Sequence, residues 1–414
     1  MARHYWRAVM IIALPGACMR AQTTLNWEQV RERFQTNNPA LAAGRTNIEE
    51  NRANEITAGL RPNPTLSIVS DQWRIFSGTP YRPFAAAQTI PVVSQEIERR
   101  NKRGLRVQSA QLATSMATTD QTDLERQLLF NLRDAFVRTL QAKSILELAE
   151  ENIKYYDKTI EVNRRRFESG DVSRADFERI ELQRAQYESD LETARVNLRS
   201  AKINLVALMN ERIPVDSLDV TGEFDFRETI LLPDELHQVA LEARGDIRSA
   251  RTAIEKAKVD NKLAWANGSW DPNVGMEYGL IGADNTIGFD FSIPIRIFDR
   301  NQGEKLRTSL EIRRSEQNRE NVVVNAFRDI DSAYASVDSV RRLLRPYRDK
   351  YLPEAARVRD AVSFAYSRGA ASLLDFLDAQ KAYRDTQLSY RNLIASYLSA
   401  ANQLNLAVGR EVLE

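Results

Sequence analysis

A glycine, a serine and an aspartate at three-residue spacing form the most chemically suggestive pattern in this chain, and the pattern occurs twice. One copy is Gly170, Ser173 and Asp176; the other, 199 residues later, is Gly369, Ser372 and Asp375. Glycine accepts the left-handed backbone that ends a helix. A serine hydroxyl can cap the helix that follows, and an acid three residues on can answer it, Asp less well than Glu. The chemistry is hydrogen bonding at a helix–turn–helix tip, predicted at about 168–174 and about 367–373. The same offset holds without a gap to Leu205 and Leu404.

Little else is arranged for reaction. The single cysteine, Cys18, and the two histidines, His4 and His237, exclude the usual Cys/His metal cluster and any disulfide within the chain. They make no Ser/His or Cys/His arrangement, and His237 fits a surface helix position better than a base. No Gly-rich phosphate loop is present, and nothing nominates a pair of carboxylates for hydrolysis. The reading is non-enzymatic, with no cofactor and no resident metal. Lys and Arg number 58 against 57 Asp and Glu, so no net field attracts nucleic acid.

The elements that must position the tips are long helices. Only 16 Gly and 13 Pro interrupt 414 residues. From Glu96 to Phe167 there is no Pro and one Gly, Gly104, and this stretch reads as one helix. The return helices carry heptad seams, Phe177, Ile180, Tyr187, Leu191 and onward in one, Phe376, Ala379, Tyr383 and onward in the other. Pro346 and Pro353 predict a kink or break in the partner of the second. Each repeat also holds a strand hairpin, at about 64–93 and about 273–297. In the second, Val274, Met276, Tyr278 and Leu280, then Ile287 through Ile297, alternate with small or polar residues. Such strands, apolar on one side, suit either a soluble core or a transmembrane barrel. Four strands cannot close a barrel, so the second choice predicts an oligomer. The chain divides as signal 1–21, repeat 22–220 and repeat 221–414.

Arg3, His4 and Arg7 precede the short apolar run Ala8–Ala17, which reads as an export signal and not as a membrane span. Cleavage after Ala21 is one reading. Lipid attachment at Cys18 is another, although Pro15 stands where a bacterial lipobox usually has Leu.

Two copies of helix, strand hairpin, long helix, Gly turn and return helix resemble the TolC family of outer-membrane efflux factors over essentially the whole mature chain. Ile293-Pro294 with Phe298-Asp299-Arg300-Asn301-Gln302-Gly303 is similar to the cation-efflux (CzcC- and CusC-like) branch. The resemblance implies a mostly α fold with a small β part. Three chains would form a 12-stranded outer-membrane β-barrel and a periplasmic helical tunnel. It implies a passive duct in contact with outer-membrane lipid, docked to a periplasmic adaptor (a membrane fusion protein) and an inner-membrane RND-type pump. It also implies that Asp375 and Asp378 ring the tunnel entrance, where crowded carboxylates favour cations and raise some pKa values. Read alone, Asp375 is equally a capping residue and Asp378 a solvated face residue. Some relatives carry an Arg two residues after the tip Gly; here that residue is Ala371, and Arg368 is the candidate adaptor contact. The alternative is a periplasmic coiled-coil adaptor or scaffold, which would be expected to carry one hairpin between β-rich domains.

Overall fold

The computed structural model describes residues 23–73, 87–227, 233–281 and 284–413. The signal segment and Cys18 lie outside them. In chain order the elements are β1 (Thr23–Leu25), α1 (Trp27–Asn37), α2 (Pro39–Gly59), β2 (Thr65–Asp71), β3 (Gln88–Glu96), α3 (Lys102–Glu168), α4 (Arg174–Met209), β4 (Leu218–Val220), α5 (Pro233–Ala243), α6 (Gly245–Asn267), β5 (Asn273–Ile281), β6 (Asp284–Ser292), α7 (Gln302–Pro346), α8 (Leu352–Ser367) and α9 (Leu373–Val408). A π-turn, Tyr347–Tyr351, joins α7 to α8.

The described residues form two compact units, those up to 37 with 135–224, and 38–134 with those from 225 onward. In the first, β1 and β4 pair in parallel, Leu25 opposite Val220. Val30, Phe34, Leu205, Met209 and Leu218 are fully or almost fully buried there. Lys143 extends across to both carboxylate oxygens of Asp219 at 3.0 and 2.8 Å and to the Val220 carbonyl at 2.9 Å. The C-terminal part of α3 and α4 make a helical hairpin in this unit. Its seam follows the heptads: Phe177, Ile180, Tyr187, Leu191 and Ala194 are buried. Tyr156 stacks on Tyr187 at 4.5 Å and donates its hydroxyl hydrogen to the Ile180 carbonyl.

The second unit holds the second hairpin, α8 with α9, and the sheet. The strand order is β2-β3-β5-β6, antiparallel throughout. One strand pair comes from each half of the sequence, and β3 and β5 join them. α7 packs against α6 and α9. Toward its C-terminal end α9 buries more than one stripe, with Ile394, Ala395, Tyr397, Ala401 and Leu404 all covered.

Two boundaries differ from the sequence reading. The first long helix starts at Lys102, not near Glu96, because Gln95 and Glu96 finish β3 and a turn follows. Arg100 and Asn101 make that turn with φ of 52° and 55°. The last strand stops at Ser292. Its apolar alternation continues to Ile297, but Pro294 has no N–H to donate and, among the described residues, no partner strand lies alongside. The kink or break expected at Pro346 and Pro353 takes the form of that π-turn: α-helical register is lost after Pro346 and resumes at Leu352, with Pro353 in the first turn of α8.

Candidate functional site

Both tips are built alike. Each first helix ends in a Schellman turn. The N–H of Gly170 donates to Phe167 and that of Asp171 to Arg166, at 3.0 and 2.8 Å; the N–H of Gly369 donates to Tyr366 and that of Ala370 to Ala365, at 3.1 and 2.8 Å. Gly170 and Gly369 have φ of +84° and +74°. A Cβ would touch nothing at either position, so glycine is required by the backbone angle and not by space. At each tip one aromatic ring stacks across the hairpin: Phe167 on Phe177 at 5.3 Å, and Tyr366 on Phe376 at 4.8 Å. These pairs occupy equivalent positions of the two repeats.

The second tip is the better capped. Ser372 Oγ accepts from the Asp375 N–H at 3.2 Å, and Asp375 Oδ2 accepts from the Ser372 N–H at 3.2 Å and from its hydroxyl at 2.7 Å. Those hydrogen bonds hold the Asp375 carboxyl below its ordinary pKa. Within one protomer the shift is therefore downward, opposite to the rise that crowded carboxylates would cause. Asp378, one turn further along, is exposed and makes no hydrogen bond or ion pair. Arg368 lies over the Phe364 ring at 5.5 Å and is not ion-paired. At the first tip Ser173 Oγ accepts from the Asp176 N–H at 3.1 Å, and its hydroxyl donates to Asp176 Oδ2 at 2.8 Å. The bond from the Ser173 N–H that would complete a capping box is not made. The residue equivalent to Asp378 is Arg179. The second tip therefore carries a free carboxylate where the first carries a cation. His237 Nε2 lies 2.9 Å from Asp331 and its ring stacks on Phe327, a helix-surface arrangement.

The sheet is two-faced. Its register places Leu66 opposite Val93, Val93 opposite Met276 and Met276 opposite Phe289. Directly paired residues share a face. This apolar row crosses all four strands and is 65, 50, 57 and 83 % exposed. Val274 with Phe291 and Tyr278 with Ile287 continue it. The next row, on the other face, is Ser67, Val92, Glu277 and Gly288. A wide apolar face left uncovered by its own chain requires an apolar surrounding. Among the described residues, no helix is long and apolar enough to cross a membrane. No group of three or more His, Cys, Asp or Glu there could hold a metal ion.

Sequence reasoning missed one cluster where sheet meets helices. Lys102 and Asp271 form an ion pair with side chains only 5 and 9 % exposed. Lys102 also donates to the Ser269 carbonyl at 3.1 Å, and Asp271 accepts from the Arg99 N–H at 2.8 Å. Nothing in the local spacing of either residue announces the pair.

An antiparallel sheet with one lipid-compatible face, in a chain otherwise made of long helical hairpins, defines the protomer of an outer-membrane channel. The chain belongs to the family described as outer membrane efflux protein, whose model matches residues 30–211 and 236–410. The cobalt-zinc-cadmium resistance protein CzcC of Cupriavidus metallidurans is 22 % identical over 382 residues, 89 % of this chain and 86 % of that protein. The pyoverdine export outer membrane protein OpmQ of Pseudomonas aeruginosa is 22 % identical over 409 residues, 92 % of this chain and 84 % of its own. Among solved structures, a membrane protein from Pseudomonas aeruginosa matches with TM-score 0.76 at 17 % identity, covering 99 % of this chain and 97 % of the other. CusC matches with TM-score 0.74 at 19 % identity, covering 99 % of both chains. The adaptor or scaffold alternative is thereby set aside: the protein is an outer-membrane efflux channel component.

Proposed function

We propose that three copies of this chain form the passive exit duct of a tripartite efflux system, with the second tip at its cation-selective entrance. The helices form a periplasmic tunnel, an adaptor and an RND-type pump dock below, and the pump supplies the energy. The observation that carries the entrance role is the free carboxylate of Asp378, held one turn into a firmly capped helix. Three copies at a narrow mouth would concentrate negative charge where a solute enters. Asp375 adds charge, but one of its oxygens, Oδ2, is already engaged by the Ser372 N–H and hydroxyl. Arg368 and the turn residues Gly170, Ser173, Asp176, Gly369 and Ser372 form the surface offered to the adaptor. Metal cations are the favoured cargo, supported by the likeness to CzcC and CusC. OpmQ, whose name specifies pyoverdine export, supports a small organic cargo as the second reading.

Planar-bilayer conductance tests the entrance. Asp378→Ala should lower the cation-to-anion permeability ratio several-fold, and Asp375→Ala should lower it less. Equal and unchanged selectivity in both variants would remove these residues from the mouth. Cargo is tested by expressing the chain with its cognate adaptor and pump. Restored zinc or cobalt tolerance supports the cation reading, and restored export of organic compounds alone overturns it.

A further inference from the structure

The rim where the sheet passes into the helices carries a feature that the channel reading does not use. The β3–β5 ladder continues past the last strand residues, because the Ile97 N–H donates to the Pro272 carbonyl at 2.9 Å. Gln95 pairs with Val274 and Ile97 with Pro272, and two residues further on in each segment come Arg99 and Trp270. The Arg99 guanidinium lies 4.0 Å from the Trp270 ring centroid. The pair thus lies just past the ladder that carries Met276, Val274 and Ile97, at its helix-side edge.

Three facts point to what meets this pair. First, β3 and β5 are the two central strands, away from the edges β2 and β6 where another copy would pair. Second, Trp270 is 40 % exposed, and the Arg99 guanidinium makes no hydrogen bond or ion pair. Its N–H groups are free while its face is spent on the ring. Third, the surroundings are cationic. Arg100 and Arg300 are exposed and unpaired, and Lys305 lies 4.6 Å from the Trp265 ring, which is 58 % exposed. Of the acids in the same stretches, Glu98, Asp271 and Glu304 are already ion-paired, leaving Glu96 and Asp299.

We propose that Arg99 and Trp270 form an anchor for the phosphate headgroup of an anionic phospholipid in the periplasmic leaflet of the outer membrane. The proposal rests on the reading that the apolar face meets lipid. Tryptophan suits the boundary between acyl chains and headgroups, with an apolar ring and a polar N–H. A guanidinium stacked on that ring is pre-oriented, and its N–H fork matches two phosphate oxygens. The acyl chains of such a lipid run along Ile97, Val274 and Met276.

Native mass spectrometry of the purified trimer tests this, in detergent containing equal amounts of phosphatidylglycerol and phosphatidylcholine. Wild type should retain phosphatidylglycerol preferentially. Arg99→Gln should lower the retained ratio by about fivefold, the effect of one cation beside an anionic surface. Trp270→Leu should lower it in the same direction. Arg164→Gln, on α3 outside the sheet's compact unit, should leave it unchanged. Equal retention of both lipids by wild type, or an unchanged ratio in both rim variants, overturns the anchor. A loss in Arg164→Gln as large as in Arg99→Gln overturns it too, since bulk charge would then be the cause. Flotation with pure phosphatidylcholine vesicles separates this from the underlying reading. If wild type and variants insert there, a failed lipid preference condemns the anchor alone. If no form inserts, the membrane face itself is wrong and the anchor falls with it.

Discussion

Asp375 and Asp378 stand three residues apart on one helix, yet the fold gives them different work. Asp375 closes the capping box and is held below the ordinary carboxylate pKa by the Ser372 hydroxyl and N–H. A group with a depressed folded pKa stabilises fully above its unfolded value, about 3.9 for Asp, and the contribution is lost as pH falls through the lower folded value. Protection of the first turn of α9 should therefore be flat from neutral pH to about 4 and decline below that. Amide exchange, corrected for intrinsic rate, should show the decline in wild type and not in Asp375→Asn. An identical decline in both would mean that Asp375 does not set the cap. The cap itself was legible in the sequence because its chemistry is local: Gly, Ser and Asp at fixed spacing specify a turn and a helix start. The ring pairs Phe167 with Phe177 and Tyr366 with Phe376 were not read as contacts. Spacing shows that a residue recurs, but not which ring it meets across a hairpin.

At the level of elements, periodicity exposed the long helices, the heptad seams and the two-faced strands. Each is a pattern repeated over many residues, and the burial of Ile180, Tyr187 and Leu191 follows it. What escaped was short or distant. β1 and β4 are three residues each, too brief to display a period. Pro346 and Pro353 announced a kink or break, but its form, a π-turn, depends on how α8 resumes. Lys102 and Asp271 are 169 residues apart and meet only after the sheet has formed. Their pair ties the start of α3 to the chain entering β5. Removing one partner strands a buried charge, which typically costs about 3–5 kcal/mol. Asp271→Ala should thus lower the denaturation midpoint sharply. Lys102→Met with Asp271→Leu should recover most of the loss, because a buried pair adds little over apolar packing. A double variant no more stable than Asp271→Ala would show that the pair positions the junction in a way that packing cannot replace.

On the scale of the whole molecule, the sheet decides the assembly. Among the described residues it has four strands in the order β2-β3-β5-β6, which leaves β2 and β6 as open edges. Unpaired edge N–H and C=O groups are not tolerated in hydrocarbon, because no water is there to bond them. The apolar row from Leu66 to Phe289 nevertheless belongs in hydrocarbon, by its exposure and composition. Both demands are met only if the edge of one copy pairs with the opposite edge of the next until the ring closes. Four strands are too few for a barrel with a lumen, and three copies give twelve, within the range of outer-membrane barrels. The detergent-solubilised protein should therefore run at about three times the mass of the 47.2 kDa chain, less any segment removed on export. It should also resist dissociation until the sheet unfolds, because the same hydrogen bonds hold both. Mass photometry alongside circular dichroism through a thermal ramp checks this. Loss of trimer mass and loss of β signal at one temperature is the expected result. A monomer that inserts into vesicles and keeps its β signal would mean that the edges are satisfied within one chain.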